Sequence, residues 1–399
     1  MGNRIQITRN VQVSPTVVYR AFTTDAGLQS WLCDRSQLDA RASGHYFIWT
    51  RNGYQSSGVF HKLVEDEFAS ASVLTPHPGN LEIGLTATET GTQISLEQTF
   101  DQIDAETLAS QETIWMQALD NLNAVLEEGL DQRYYNRPML GVLIAGQIDL
   151  DNQARFGIPV DYGIAISGTV PGMGAESMGL QSDDVLVELA GLPLKDYAAL
   201  TDALQPVNAG DTIKVVWYRG DDLHQSELLL SGRPTPDIPG SAVELAEEVR
   251  QIYARLDAEL AEVLDDISEA EADYRPEEGE WNAKEILGHT IATERSIHLW
   301  ITNASKGRVF EHWASNDDLI VGSIVDVHNS TVELRQAIQQ AHAQTVALIK
   351  RLPENIVEHK GTFHHIVTTV NKHGIPIHTR QHYERIQELI KQARRAAAA

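Results

Sequence analysis

Ile375-Pro-Ile-His-Thr-Arg-Gln-His-Tyr-Glu-Arg-Ile386 spaces His378 and His382 four residues apart. On a helix both imidazoles then leave one face, one turn above the other. Ile375, Ile386 and Leu389 continue that face in steps of three and four, which turns it toward a core. Histidines on a buried stripe need partners for their ring nitrogens, because an unpaired buried polar group is costly. A divalent ion would satisfy them if a third ligand approached. Trp281-Asn-Ala-Lys-Glu-Ile-Leu-Gly-His-Thr290 offers His289, on the stripe Ile286, His289, Thr293, Ser296 and Trp300. If the two helices face each other, three imidazoles converge and leave a fourth position open, as in catalytic rather than structural zinc sites. The expected ion is Zn²⁺, with nickel or iron as alternatives. Glu285, one turn before His289, is placed to orient that imidazole from outside the ligand set.

Helical periodicity extends on both sides. Val243–Leu264, Ala283–Ala304, Ser330–Leu352 and Ile377–Ala396 are four long amphipathic patterns, which predict an all-α four-helix bundle over residues 240–399. Between Lys306 and Asn329 the pattern is irregular. His298, His312 and His342 read as hydrogen-bonded core, whereas His364, His365 and His373 cluster ahead of the last helix as additional or competing ligands. Ile267-Ser-Glu-Ala-Glu-Ala-Asp-Tyr-Arg-Pro276, the stretch Gly279 to His289, Glu294 and His378-x-x-x-His382 resemble the DinB family of metal-binding bundles and the thiol-dependent S-transferases grouped with it. The resemblance implies that His289, His378 and His382 are the metal ligands.

Residues 1–131 begin with a strand-like run carrying Ile5, Ile7 and Val11, then Ser14-Pro15 as a helix start. From His45 to Leu96 strands alternate with turns such as Asn52-Gly53, and a closing helix puts Trp115, Leu119, Leu122 and Leu126 on one face. That order predicts a helix-grip α/β domain. Asn10-Val-Gln-Val-Ser-Pro-Thr-Val-Val-Tyr19, Ala26-Gly-Leu-Gln-Ser-Trp-Leu32, Gly58-Val-Phe60 and the Trp115 helix resemble the START-like superfamily, in its branch similar to the C-terminal domain of the heat-shock-protein-90 ATPase activator. The resemblance implies an apolar small-molecule cavity between sheet and closing helix, with Trp31, Phe47, Trp49, Phe60 and Trp115 as candidate lining.

Residues 135–233 hold the alternating strand Asp161–Val170, a turn with short helix Pro171–Leu180, a strand Val185–Leu192, and a hairpin from Thr212 to Leu230. Pro138-Met-Leu-Gly-Val142, Gly179-Leu180 and Asp184-Val-Leu186 resemble a PDZ domain of the bacterial HtrA type, a small β-barrel-like fold. It implies that Met139, Leu140, Gly141 and Val142 hold the terminal carboxylate of a peptide that adds as a strand, near Leu200. Asp183 stands where that family usually has glycine. Arg233-Pro-Thr-Pro-Asp-Ile-Pro-Gly240 is a stiff spacer and the clearest boundary.

The acidic balance, a net charge of −25, argues against nucleic-acid binding, which needs a basic patch. The single Cys33 allows no internal disulfide, no stretch is apolar enough for a membrane span, and the start reads as a strand, so a cytoplasmic location is expected. The functional expectation is a multidomain binding or sensing protein with a three-histidine metal site, a peptide groove and an apolar cavity. The competing reading is a metal-dependent thiol S-transferase or hydrolase-like enzyme of the DinB type. The apolar tail ending in Ala399 is a candidate for self-association in a neighbour's peptide groove.

Overall fold

The computed structural model describes residues 3–50, 53–233, 235, 237–277, 279–310, 315–371 and 374–398. Asn52 of the expected turn, Pro234 and Pro236 of the spacer, His312, His373 and Ala399 lie outside the described residues. The three expected segments sort into two compact units, Met1–Gly129 with Asp237–Ala399, and Leu130–Pro236.

The first unit opens with β1 (Arg4–Val11), α1 (Pro15–Thr23) and α2 (Asp25–Trp31). Then come β2 (Arg35–Leu38), β3 (His45–Trp49), β4 (Gln55–Val64), β5 (Phe68–Thr75), β6 (Gly79–Thr88), β7 (Gly91–Phe100) and α3 (Ala105–Glu127). The strands form one antiparallel sheet in the order β1-β7-β6-β5-β4-β3-β2. Alternation decides which face is inside: Ile94, Leu96 and Gln98 of β7 are buried, with Ser95 exposed between them. Asp104 caps α3 by accepting from the Glu106 and Thr107 amides, and Leu119, Leu122 and Leu126 seal the helix into the core shared with that face.

The second compact unit contains α4 (Gln132–Tyr135), β8 (Val142–Gln147), α5 (Gln153–Phe156), β9 (Ile164–Thr169) and α6 (Gly174–Met178). It continues with β10 (Val185–Leu189), β11 (Leu192–Pro193), α7 (Tyr197–Leu204), β12 (Thr212–Arg219) and β13 (Asp222–Leu229). The antiparallel order is β13-β12-β10-β9-β8, with β11 beside β10, so β8 is an edge strand. Asp183 has φ +68, a left-handed conformation that glycine adopts without strain, which accounts physically for the departure at that position. Beside it Asp184, fully buried, receives both Nε and Nη2 of Arg219 at 2.7 and 2.8 Å.

The helical region of the first unit comprises α8 (Ala242–Val263), α9 (Glu269–Ala272), α10 (Ala283–Ser305) and α11 (Asp318–Val327). It ends with α12 (Thr331–Ile349), α13 (Glu354–Glu358), α14 (Lys360–Val370) and α15 (Ile375–Ala398). Four long helices, α8, α10, α12 and α15, pack around one core that includes Leu256, Leu287, Ile338 and Ile386. Part of the stretch expected to be irregular is helical, as α11, because Asp317 caps it and Val321 and Ile324 bury against the bundle. Among the described residues no helix is long and apolar enough to cross a membrane.

Sheet layer and bundle join through a polar seam that the separate segment boundaries did not anticipate. Glu358 caps α1 from outside, accepting from the Ser14 amide and, at 2.8 Å, from its hydroxyl. Arg20 Nη2 donates to Ser305 O at 2.9 Å, and the Ala26 amide to Gly307 O at 3.0 Å. Gly361 lets α14 approach α3, since a Cβ there would stand 2.5 Å from Val125 Cγ1. Within this seam His359 is buried, and its Nδ1 accepts from the Thr362 amide at 3.1 Å, capping α14.

Burial, and secondarily the Arg20 charge, pushes the His359 pKa down to about 4. The unfolded chain therefore takes up this proton first as pH falls. The contribution is fully present above pH 6.5, is lost between 6.5 and about 4, and is level below, amounting to about 3 kcal/mol. His359→Asn keeps a capping acceptor without the titration, so its urea midpoint should fall less than wild type between pH 7 and pH 4.5. Equal losses would contradict the assignment.

Candidate functional site

Two side-chain sets converge at the end of the bundle where α10 begins. Asn282 caps α10 and receives the Glu285 amide at 2.9 Å, while the Glu285 carboxylate accepts the Asn282 amide at 2.8 Å. His289 lies two turns further in and is 2% exposed. On α15 the most buried line runs through Thr379, Tyr383, Ile386 and Ile390. His378 and His382 therefore sit beside the stripe, half-buried, rather than at its centre as periodicity suggested. Arg380 and Arg385 on the outer side pair with Glu259 at 2.9 Å and Glu280 at 2.6 Å, while burial of Ile386, Leu389 and Ile390 sets the rotation of α15.

His289, His378 and His382 each offer one ring nitrogen, and the three atoms lie within 4.8 Å of one another. His382 Nε2 and His378 Nε2 are 3.0 Å apart. A tetrahedral ion with bonds of about 2.0–2.1 Å places its ligand nitrogens about 3.4 Å apart, so small rotamer changes bring these donors to coordination geometry. His289 Nδ1 stands 2.7 Å from the Ser315 carbonyl, an acceptor only, so Nδ1 carries the proton and Nε2 presents a lone pair. That Nε2 is buried without a hydrogen-bond partner. Burial lowers the pKa of all three rings. For His378 the neighbouring His289 adds to it, and for His382 the charges of His378 and His289 bring the value to about 4. Three neutral imidazoles with one orphaned nitrogen form a donor set suited to a divalent ion.

Glu285 does not play the orienting part expected of it. One oxygen closes the helix cap and the other accepts from Arg275 at 2.7 Å, because its position in the first turn commits it to the cap. The Ser315 carbonyl orients His289 instead, and Trp281 packs on its ring at 5.2 Å. His364 and His365 stay apart from the cluster. His364 Nδ1 meets the Gly129 carbonyl at 2.8 Å, and His365 packs against Trp300.

Further along the bundle lies a buried network built from α8, α10 and α12. Glu294, 1% exposed, accepts from Tyr253 at 3.0 and 3.2 Å and from Thr345 at 2.6 Å. His342 stacks on Tyr253 and binds Asp257 through Nδ1 at 2.7 Å, and His298 Nε2 reaches Thr345 at 2.8 Å. His298 and His342 are thus hydrogen-bonded core, as read from the sequence. Burial and then the Glu294 charge hold the Tyr253 hydroxyl far above its ordinary range.

In the sheet domain a cavity of about 110 Å³ lies between the sheet's inner face and α3. Phe60 and Trp115 line it. The other three aromatic candidates do not. Trp31 is buried in the core, its Nε1 donating to Ala21 O at 3.0 Å. Phe47 and Trp49 stack on the opposite face, because the strand alternation sends Tyr46 and Ile48 inward instead.

Among the peptide candidates, Met139 pairs with Ser231 and the carbonyls of Leu140 and Gly141 accept from Ala175 and Val170. Gly141 has φ +82, with Met173 packed where a Cβ would stand. Val142 and Leu200 pack against the core that contains Leu140. The tail is helical to Ala398, so a strand-like dock would require its last turn to unwind.

Residues 12–127 match the family model described as Activator of Hsp90 ATPase homolog 1-like protein, and residues 252–386 match the DinB superfamily. The chain therefore carries an AHSA1-like, START-type domain and a DinB-like helical domain. A Serine protease Do-like HtrA from Lactococcus lactis subsp. lactis (strain IL1403) is 27% identical over 111 residues, covering 27% of this chain and 27% of that protein. The chain thus spans little more than a quarter of that relative's length. Similar solved structures include protein MLL2253 from Mesorhizobium loti, with 18% identity, 30% of this chain, 93% of that chain and a TM-score of 0.29. The Aha1 dimer from Colwellia psychrerythraea is 20% identical over 31% of this chain and 94% of that chain, with a TM-score of 0.29.

Proposed function

We propose that this is a multidomain binding and sensing protein. It holds a divalent ion, zinc in the first instance, at His289, His378 and His382, and takes up a small apolar molecule in the AHSA1-like domain. One observation carries the metal reading: three ring nitrogens converge and that of His289 is buried without a partner. The match to DinB-like domains, which are typically metal-binding, supports it. Such an ion would supply a Lewis-acidic position. The chain's own residues orient His289 through Ser315 and cover its ring with Trp281. Thiol transfer by the same site would need a proton acceptor nearby, and Glu285, the carboxylate expected only to orient His289, is committed to the helix cap and Arg275, which favours binding over turnover.

The middle unit, as a PDZ-type domain over 135–233, would receive a peptide's C-terminal strand along the free edge of β8. Leu143 and Ile144 are exposed there, and Leu140, Val142 and Leu200 stand beside them. Chelator-stripped protein titrated calorimetrically with Zn²⁺ should bind one ion per chain. No binding would refute the metal reading.

A further inference from the structure

Two glutamines in the sheet-domain cavity carry an inference about what that cavity accepts, resting on its reading as a ligand site. Gln98 on β7 and Gln111 on α3 are 6% and 8% exposed, and both line the cavity. Trp115, one turn after Gln111, donates its Nε1 to Gln98 Oε1 at 2.6 Å. The indole nitrogen is a donor only, so the amide orientation of Gln98 is fixed with its NH₂ away from Trp115. That NH₂ and the whole Gln111 amide make no hydrogen bond to any described residue. Neither amide is sealed off without a partner as His289 Nε2 is, so both reach the open space of the cavity, where water pairs with them until a ligand's acceptor replaces it.

The volume is a feature of the same sequence. β5 sends Ala69 and Ala71 inward, and these small side chains leave space that a close-packed core would fill. At about 110 Å³ the space is comparable to the roughly 150 Å³ cavity that takes up benzene. Among the described residues no acidic, basic or histidine side chain lines it, so a carboxylate or ammonium would be desolvated without a counter-charge from them.

We propose that the cavity selects a small, uncharged, largely apolar molecule, ring-sized or a short chain, whose carbonyl oxygen accepts from the Gln98 and Gln111 amides. The test uses the full chain and three probes of one shape: toluene, benzamide and benzoate, followed by the NMR shift of the Trp115 indole. Benzamide should bind at least about tenfold more tightly than toluene, the size of one hydrogen bond, and benzoate more weakly than either. Gln111→Leu should erase benzamide's advantage and leave toluene binding intact or tighter. Because Gln111 has no hydrogen-bond partner among the described residues, this variant folds even if Gln98→Leu, which strips Trp115 of its acceptor, does not. Benzoate binding as well as benzamide, or an unchanged benzamide-to-toluene ratio in Gln111→Leu, overturns the proposal while leaving the cavity a ligand site. Failure of all three probes to bind overturns both.

Discussion

Replacing His382 with alanine should weaken divalent-ion binding by at least about 100-fold and abolish the rise in melting temperature that added Zn²⁺ gives the wild type. Losing an outer-shell partner alone costs 10–100-fold at such sites, and His382 is placed as a direct ligand. An ion that binds only the folded chain at 100 times its Kd stabilises it by about 2.7 kcal/mol, so the thermal effect is readable. Without metal the substitution should be mild, because His382 is only half-buried and gives up a single hydrogen bond, to His378 Nε2 at 3.0 Å. Comparable zinc affinity in His382→Ala, or a large loss of stability without metal, would point to a structural histidine. His364→Ala serves as the contrasting variant, since that ring is tied to Gly129 and lies outside the cluster.

Glu294→Ala should destabilise the first unit by about 2–4 kcal/mol, because it leaves the Tyr253 hydroxyl buried without its acceptor, Thr345 with only the Ala341 carbonyl at 3.2 Å, and His342 without the facing carboxylate. Glu294→Gln keeps one carbonyl oxygen and should lose about half as much. Glu247 makes a comparison, since its pair with Arg250 is exposed, and Glu247→Ala should leave the urea midpoint unchanged. A midpoint in Glu294→Ala equal to that of wild type would mean that the network contributes nothing to the fold. Retained zinc binding in a folded Glu294→Gln would separate this network from the metal histidines.

The cluster of His289, His378 and His382 was legible because both halves of the signal are local. His378 and His382 are one turn apart, and His289 belongs to a stripe whose other members are also buried. What periodicity could not supply was their depth: the true centre of the α15 stripe is Thr379 and Tyr383, a rotation set by the neighbouring helices that pack on Tyr383, Ile386, Leu389 and Ile390. The Glu294 network was hidden for a different reason. Its members come from three helices, and a lone Tyr253 or Thr345 carries no local sign of its partner. In the sheet domain aromatic residues were the wrong guide, since β3 carries apolar side chains on both faces and Phe47 and Trp49 fall on the outer one. Gln98 and Gln111 meet across a strand and a helix, and no spacing announces that. The seam between sheet layer and bundle was equally silent, because Ser14 and Glu358 are distant in the chain and ordinary in kind.

The account stands on three Nε2 atoms sharing one ion. Crystals grown with Zn²⁺ after purification without a metal-affinity tag, measured at the zinc edge, test this directly. One anomalous peak per chain should lie about 2.0–2.1 Å from the Nε2 atoms of His289, His378 and His382. A peak placed elsewhere, for instance beside His364 or His365, or none where these imidazoles meet, would contradict it.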